Sequence, residues 1–394
     1  KPFLARLILT GFLILAVSGT GPVSAQTSGS ALPPEAQAAY ERGYAAAEQG
    51  EWELAIKYFS EAQKAAPESP EVLFNLAFAC SNAGGRDILA IAWYRAYLAA
   101  APDAPNAQQV RKEIINLEVK VEVNITKLLR LAKDTVGELT DNWDKGWAYM
   151  RIADMQAETG DIAGARDTAE NIPRDSLKSN VYTDIAKEQA ETGDIAGTRE
   201  TLALAKKAAE NIKDDDDRSE AYVRIAEFQA ETGDKAGSRE SLALAKKAAA
   251  GMKTDGVNSD YFKSKAYTGI AEVQARTGDI AGARDTAENI PDDNVKSKVY
   301  RRIARFQAQT GDKAGARETL ALSKKAAENI ADDNDKSKAY AGIAKMEAET
   351  GDKAGAHETL ALAKKAAAGI GDNARAGAYL SIAEAQAETG DKAG

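Results

Sequence analysis

Apolar residues recur three and four positions apart on a polar background, and from Trp143 onward that pattern is itself repeated. The segment Tyr149–Asp161, Y-M-R-I-A-D-M-Q-A-E-T-G-D, has copies starting at Tyr182, Tyr222, Tyr267, Tyr300, Tyr340 and Tyr379. Within each copy the tyrosine, isoleucine and alanine of Y-x-x-I-A fall on one face of a helix. T-G-D closes it: in the second copy Gly193 supplies the left-handed turn, and Asp194 caps a following helix and favours its positive end. A unit of this kind buries its apolar face only against its neighbours, which predicts an all-α fold, an α-solenoid of antiparallel helix-turn-helix repeats.

The turn glycines Gly160, Gly193, Gly233, Gly278, Gly311, Gly351 and Gly390 are spaced by 33, 40, 45, 33, 40 and 39 residues, so a second period of 118 runs through the array. Thr159–Pro173 and Thr277–Pro291 are identical, the mark of a block duplicated whole. The longer units add seven residues: R-D-T-A-E-N-I at Arg166–Ile172 becomes R-E-T-L-A-L-A-K-K-A-A-E-N-I at Arg199–Ile212. Seven residues make just under two turns, which lengthens the second helix by about 10 Å and keeps its buried face in register. A further glycine recurs at 164, 197, 237, 282, 315, 355 and 394. Glycine inside a helix costs about 1 kcal/mol, so the recurrence is read as a close approach of backbones.

Before the array, Ala36–Pro67 carries Gly43, Ala55, Phe59, Ala62 and Pro67, and Pro70–Pro102 places Ala77, Ala90, Tyr94 and Pro102 correspondingly. The small residues allow two helices to touch, and Phe59 and Tyr94 fill the space between units. These spacings resemble the tetratricopeptide repeat, strongly up to Pro102. The array from Tyr149 resembles a divergent version whose later proline is displaced or missing. The resemblance implies a TPR-like organisation: two units at 35–102, connecting or capping helices at 103–140, and a divergent array at 141–394. The alternation in Leu117–Val123 also fits a strand. Helix is preferred, because a lone strand among helices leaves its backbone unpaired, and Leu117, Val121, Leu128 and Leu131 make a helical stripe.

Composition, with 44% hydrophobic and 28% charged residues, is that of a folded protein. Lys1 and Arg6 precede the apolar run Leu7–Val17, and Val23-Ser24-Ala25 suits signal peptidase, so residues 1–25 read as an export signal and 26–34 as a linker. The apolar run is short for a membrane span, and an uncleaved anchor is the competing reading. Cleavage removes two cations and takes the net charge from −9 to −11, which disfavours nucleic acid as a partner. The mature chain is expected in the periplasm or secreted, with no stable membrane span. Cys80, the lone cysteine, lies among apolar neighbours and reads as a buried, inert thiol. The chain starts without methionine and stops at Gly394 inside a repeat, and is read as a fragment.

Catalytic and metal constellations are not apparent, and no cofactor is expected. The single histidine, His357, stands where other copies have arginine. The acidic runs Asp214–Asp217 and Asp332–Asp335 lack the glycine and terminal glutamate of a helix-loop-helix calcium site and read as helix caps. The paired lysines at 206–207, 246–247, 324–325 and 364–365 read as a solvated face near helix C-termini. The repeated tyrosines read as wedges between units rather than ligand-stacking residues.

Arrays of the resembled family hold an extended peptide or partner helix along their first helices. That resemblance implies a non-enzymatic exported scaffold for a protein or peptide, with Tyr40, Tyr44, Asn75 and Arg95 as candidate groove residues. In a family subset that grips a C-terminal carboxylate, only Asn75 matches; Tyr40 and Tyr44 replace a lysine and an asparagine. The alternatives are a targeting arm for a catalytic domain beyond Gly394, and a structural protein of the envelope that self-associates.

Overall fold

The computed structural model describes residues 32–253 and 259–389, in which every regular element is an α-helix. The all-α repeat architecture is thus observed directly. The expected leader, and residues 26–31 of the linker, lie outside the described residues. The chain divides into two compact units, whose boundary in sequence falls between Thr168 and Ala169.

Unit one contains α1 (Pro34–Glu48), α2 (Trp52–Ala65), α3 (Pro70–Asn82), α4 (Asp87–Ala100), α5 (Ala107–Gly137), α6 (Asn142–Glu158) and the start of α7 (Ile162–Glu170). Local chemistry sets the hairpins. Pro34 and Pro70 occupy first helical turns, where a missing N–H costs nothing, and Ser69 Oγ accepts the Val72 N–H. Gly50, Gly84 and Gly85 take positive φ in the turns. Gly43 meets the Phe59 ring so closely that a Cβ there would lie 2.7 Å from Phe59 Cδ1. Phe59 and Tyr94 are fully buried, and Tyr40 packs on Phe59 with ring centroids 5.7 Å apart. The small-residue and aromatic spacing therefore does what its resemblance implied. Cys80 is 1% exposed, and burial pushes its thiol up to about 12.

Between Pro102 and Asp141 runs one helix, α5, of 31 residues, so the alternating segment at 117–123 is helical. Its expected stripe needs correction. Val110, Ile114, Leu117 and Val121 are buried, but the face continues through Leu129 and Val136, while Leu128 and Leu131 are exposed. The first half packs on α4 and the second on α6. The covered face therefore rotates along the helix.

Unit two holds the hairpins α8 (Asp175–Glu191) with α9 (Ile195–Asn211), α10 (Asp215–Glu231) with α11 (Lys235–Gly251), and α12 (Ser259–Arg276) with α13 (Ile280–Glu288). It continues as α14 (Asp293–Gln309) with α15 (Lys313–Glu328), α16 (Asp333–Glu349) with α17 (Lys353–Ala368), and α18 (Asp372–Thr389). The predicted seven-residue difference is plain: α7 and α13 have 9 residues, while α9, α11, α15 and α17 have 16 or 17. Ile185, Ile225, Ile270, Ile303 and Ile343 are fully buried, each contributing about 2 kcal/mol of transfer free energy.

The T-G-D turns are built as the sequence predicts. Gly160, Gly193, Gly233, Gly278, Gly311 and Gly351 all have positive φ, and each following aspartate accepts the N–H three residues on, as Asp194 does from Gly197 at 2.9 Å. The recurrent second glycine requires a correction. Gly197 is the third residue of α9, not an interior one, and the atoms nearest the place of a Cβ there belong to side chains, not backbone. A Cβ there would collide with the Asp194 carboxylate and the Gln189 amide. The same pair of obstacles surrounds Gly164, Gly237, Gly282 and Gly315. Glycine is needed to leave room for a polar cluster.

That cluster joins the two helices of a repeat. Gln189 Nε2 donates to Asp194 Oδ2 at 2.8 Å, and Thr201 Oγ1 donates to Gln189 Oε1 at 2.5 Å. Corresponding bonds link Gln156 to Asp161 and Thr168, Gln229 to Asp234 and Ser241, and Gln307 to Asp312 and Thr319. At the far end of the hairpin a first-helix serine reaches a second-helix carbonyl: Ser179 to Ala205, Ser219 to Ala245 and Ser337 to Ala363. Buried polar groups need such partners, and here they fix the register of the two helices.

Candidate functional site

The groove residues expected in the N-terminal hairpins do not form one surface. Tyr40 on α1 and Asn75 on α3 come together, Asn75 Nδ2 donating to the Tyr40 hydroxyl at 2.7 Å and to the Glu71 carbonyl at 3.1 Å. Both are almost wholly buried. Burial raises the Tyr40 hydroxyl well above the usual tyrosine range, with the Glu71 carboxylate and then Tyr44 adding to the shift. Tyr44, half-buried, packs against the same core. Tyr40, Tyr44, Glu71 and Asn75 are therefore one polar seam between two first helices, its rim carried by Tyr44. Arg95 lies elsewhere, on α4, where its guanidinium pairs with Glu118 of α5. Glu71 escaped the sequence reading, because only the packing of α3 on α1 shows that it faces Tyr40.

In unit two five of the repeat tyrosines are structural wedges, while Tyr379 on α18 is 46% exposed. Tyr182, Tyr222, Tyr267, Tyr300 and Tyr340 are at most 6% exposed, and the hydroxyls of Tyr182 and Tyr300 donate to Glu170 and Glu288 at 2.7 and 2.6 Å. The face beside them carries a charged residue five positions after each of these tyrosines and, after Tyr182, Tyr222 and Tyr300, another two positions on; Gly269 and Gly342 stand at that place after Tyr267 and Tyr340. Successive first helices exchange ion pairs across it. Arg224 on α10 donates to Asp184 on α8 at 2.6 Å, Arg276 to Glu227 on α10 at 2.6 Å, and Arg302 on α14 reaches Glu272 on α12. Exposed pairs of this sort are worth only about 0.2–1 kcal/mol each, so they set the charge pattern of the face more than its stability.

The lysine pairs separate into two roles. Lys206 and Lys246 bridge to the next second helix, at Glu240 (2.7 Å) and Asp285 (2.6 Å), while Lys207 and Lys247 are exposed. The acidic runs are caps as read: Asp214 accepts from the Asp216 and Asp217 N–H groups, and Asp332 from that of Asp335. An open cavity of about 750 Å³ lies beside the first run, lined by Lys213, Asp214–Asp217, Met252, Lys253, Ser259 and Phe262. Among the described residues no group of three His, Cys, Asp or Glu is placed to hold a metal. His357 is exposed on α17. No described helix is long and apolar enough to cross a membrane.

Comparison with known proteins agrees with the hairpin reading where the spacing was strongest. The family model described as tetratricopeptide repeat matches residues 25–70 and 40–105, which span α1 to α4. No curated protein matches the chain. Among solved structures, BtubC from P. vanneervenii is 17% identical, over 56% of this chain and 93% of that one, with a TM-score of 0.31. A signal transduction ATPase with a tetratricopeptide repeat sensor from Pyrococcus horikoshii is 16% identical, over 86% of this chain and 54% of that one, with a TM-score of 0.32. Yeast Tom70 is 12% identical, over 91% and 97%, with a TM-score of 0.28. All three TM-scores fall below 0.5, so the functional reading rests on this chain's own residues.

Proposed function

We propose that the chain is a non-catalytic scaffold that holds a protein or peptide along the faces of its first helices, and that it is exported to the periplasm or beyond. One observation carries the binding half. In the segment that matches the tetratricopeptide repeat, first helices α1 and α3 share a polar seam, Tyr40, Tyr44, Glu71 and Asn75, whose outer member Tyr44 is half-buried at the rim. An aromatic with a polar tip beside a carboxylate suits a peptide backbone and its side chains. Export rests on the residue pattern of the first 25 positions.

The test places a photo-crosslinking amino acid at Tyr44 or, as control, at Leu89, which is 45% exposed on second helix α4. Each full-length variant is exposed to an envelope extract. A discrete crosslinked band from position 44 and none from position 89 is the expected result. Equal crosslinking from both, or none from either, would remove the groove reading.

A further inference from the structure

One first helix departs from the rest in charge. Helix α14 carries Lys296, Lys298, Arg301, Arg302 and Arg305 against the single acid Asp293. Helix α10 is its opposite, with Asp215, Asp216, Asp217, Glu220, Glu227 and Glu231 against Arg218 and Arg224. Elsewhere on this face each ion-paired cation meets an acid on the neighbouring first helix. Arg302 follows that rule through Glu272, but Arg301 and Arg305 do not: among the described residues neither has an acceptor or an acid in pairing distance.

Arg301 is also half-buried. Its guanidinium lies across Gly342 of α16, filling the place where a side chain at 342 would stand. Two repeats earlier Val223 fills the equivalent space over Gly269, 3.2 Å from where a Cβ would be. A site that elsewhere takes an apolar side chain thus holds a cation, beside two further cations one turn apart. Burial pulls Arg301 below the usual arginine value, and Arg305 and then Arg302 add to that, without removing its charge. A guanidinium stripped of part of its water, unpaired and next to like charges, sits in an unfavourable field that an incoming anion relieves.

We propose that Arg301, Arg302 and Arg305 form a docking site for an acidic peptide segment, whose carboxylates pair with the forks of Arg301 and Arg305. This rests on the scaffold reading above and extends it to a place in the second unit. A peptide is favoured over a nucleic acid by the flanks of the site. Asp184, Glu220, Glu227 and Glu272 line the same face on the preceding helices, and the whole chain is acidic. Each of these acids is paired with a cation, so a uniformly charged polyanion finds no continuous basic track there, whereas a peptide with a short acidic run places its charge only where the arginines are.

The experiment measures fluorescence anisotropy of a fluorescein-labelled oligoglutamate peptide on the full chain at low salt, with oligoglutamine and an oligodeoxythymidylate as comparison probes. Three variants are used: R301Q/R305Q, which spares the Arg302–Glu272 pair; R301K/R305K; and K207Q/K247Q, which removes the same charge from second helices. Circular dichroism checks that each variant keeps its helix content. The proposal expects saturable binding of oligoglutamate that weakens about ten-fold in R301Q/R305Q, partly recovers in R301K/R305K, and is unchanged in K207Q/K247Q. Equal loss in R301Q/R305Q and K207Q/K247Q would mean diffuse attraction and overturn it. So would oligodeoxythymidylate binding as tightly as oligoglutamate, or no binding by the wild type. If Tyr44 crosslinks a partner while these arms fail, the scaffold reading stands and only this site is lost.

Discussion

Lys324 Nζ lies 2.9 Å from Oε1 of Glu347, a carboxylate 4% exposed at the position where the six other copies of the repeat carry glutamine. In those copies with a complete cluster the amide donates to the turn aspartate and accepts from a threonine or serine. A carboxylate has no N–H to donate. Here the lysine of α15 turns to Glu347, while Glu347 Oε2 and Thr359 Oγ1 are left without partners. Glu347→Gln restores the donor and satisfies Thr359 in place of a buried ion pair. It is expected to raise stability by about 1 kcal/mol at neutral pH. Urea denaturation reads this as a higher midpoint at unchanged slope; a midpoint at or below wild type would show that the lysine pair outweighs the lost amide.

Ser264 tests how far hairpin length controls polar satisfaction. Ser179, Ser219 and Ser337 reach a carbonyl 26 residues on, but the short α13 has ended before residue 290, and Ser264 Oγ is buried with no partner. Ser264→Ala is therefore expected to be neutral or slightly stabilising, while Ser219→Ala costs about 1 kcal/mol. Thermal melts of the two variants side by side decide it. Equal losses would contradict the assignment.

The second glycine of the turn is open to the same kind of test. Alanine is the better helix former by about 1 kcal/mol, yet Gly197→Ala is expected to destabilise, because its methyl displaces the Asp194 and Gln189 side chains. If that is the cause, removing the obstacle removes the cost. Against Gln189→Ala/Asp194→Ala, which clears both side chains, the glycine substitution should become neutral or favourable. Additive losses in that cycle would instead point to a backbone contact.

Acid sensitivity has a defined sign at Asp312. The Gly315 N–H, and then the Gln307 amide, hold its carboxyl below the usual aspartate value. A carboxyl lower in the folded than in the unfolded state adds stability that is complete above the unfolded value, about 3.9, and is lost as pH falls through the folded one. The Asp312→Ala deficit in urea midpoint should accordingly be present at about pH 5–6 and shrink on acidification below about pH 3. A deficit that grows on acidification would reverse the assignment.

Cys80 should resist modification. Its thiol is buried in the core of the N-terminal hairpins and shifted up by loss of water. An aromatic disulfide reagent should leave it untouched in the native chain and titrate it fully in denaturant. Rapid reaction of the folded chain would mean that α3 opens readily.

The sequence made the repeats legible because tyrosine, isoleucine, alanine and the turn glycine each answer to a strictly local requirement. A positive φ at Gly193 and a cap at Asp194 follow from residue types alone. What was not legible depends on a second segment being in place. The glycine at 197 looked like a backbone contact, since nothing local shows that Gln189 and Asp194 fill the space above it. Leu128 and Leu131 continue the stripe of α5 by periodicity, but the cover moves from α4 to α6 partway along. Arg301 is one of two adjacent arginines in the sequence, and only Gly342, on another helix, explains why it lies half-buried. The family resemblance marks Tyr40 and Asn75 as groove residues, but their mutual hydrogen bond lies beneath the surface, and Tyr44 is half-buried at its rim.

On the proposed reading the chain works through its first helices. A photo-crosslinking scan of the full chain in an envelope extract tests it most directly, with probes at Arg151, Arg224 and Arg302 on first helices and at Lys207, Lys247 and Lys325 on second helices, all six exposed. Discrete crosslinked products are expected from the first-helix positions and none from the second. Products mainly from Lys207, Lys247 and Lys325 would contradict it.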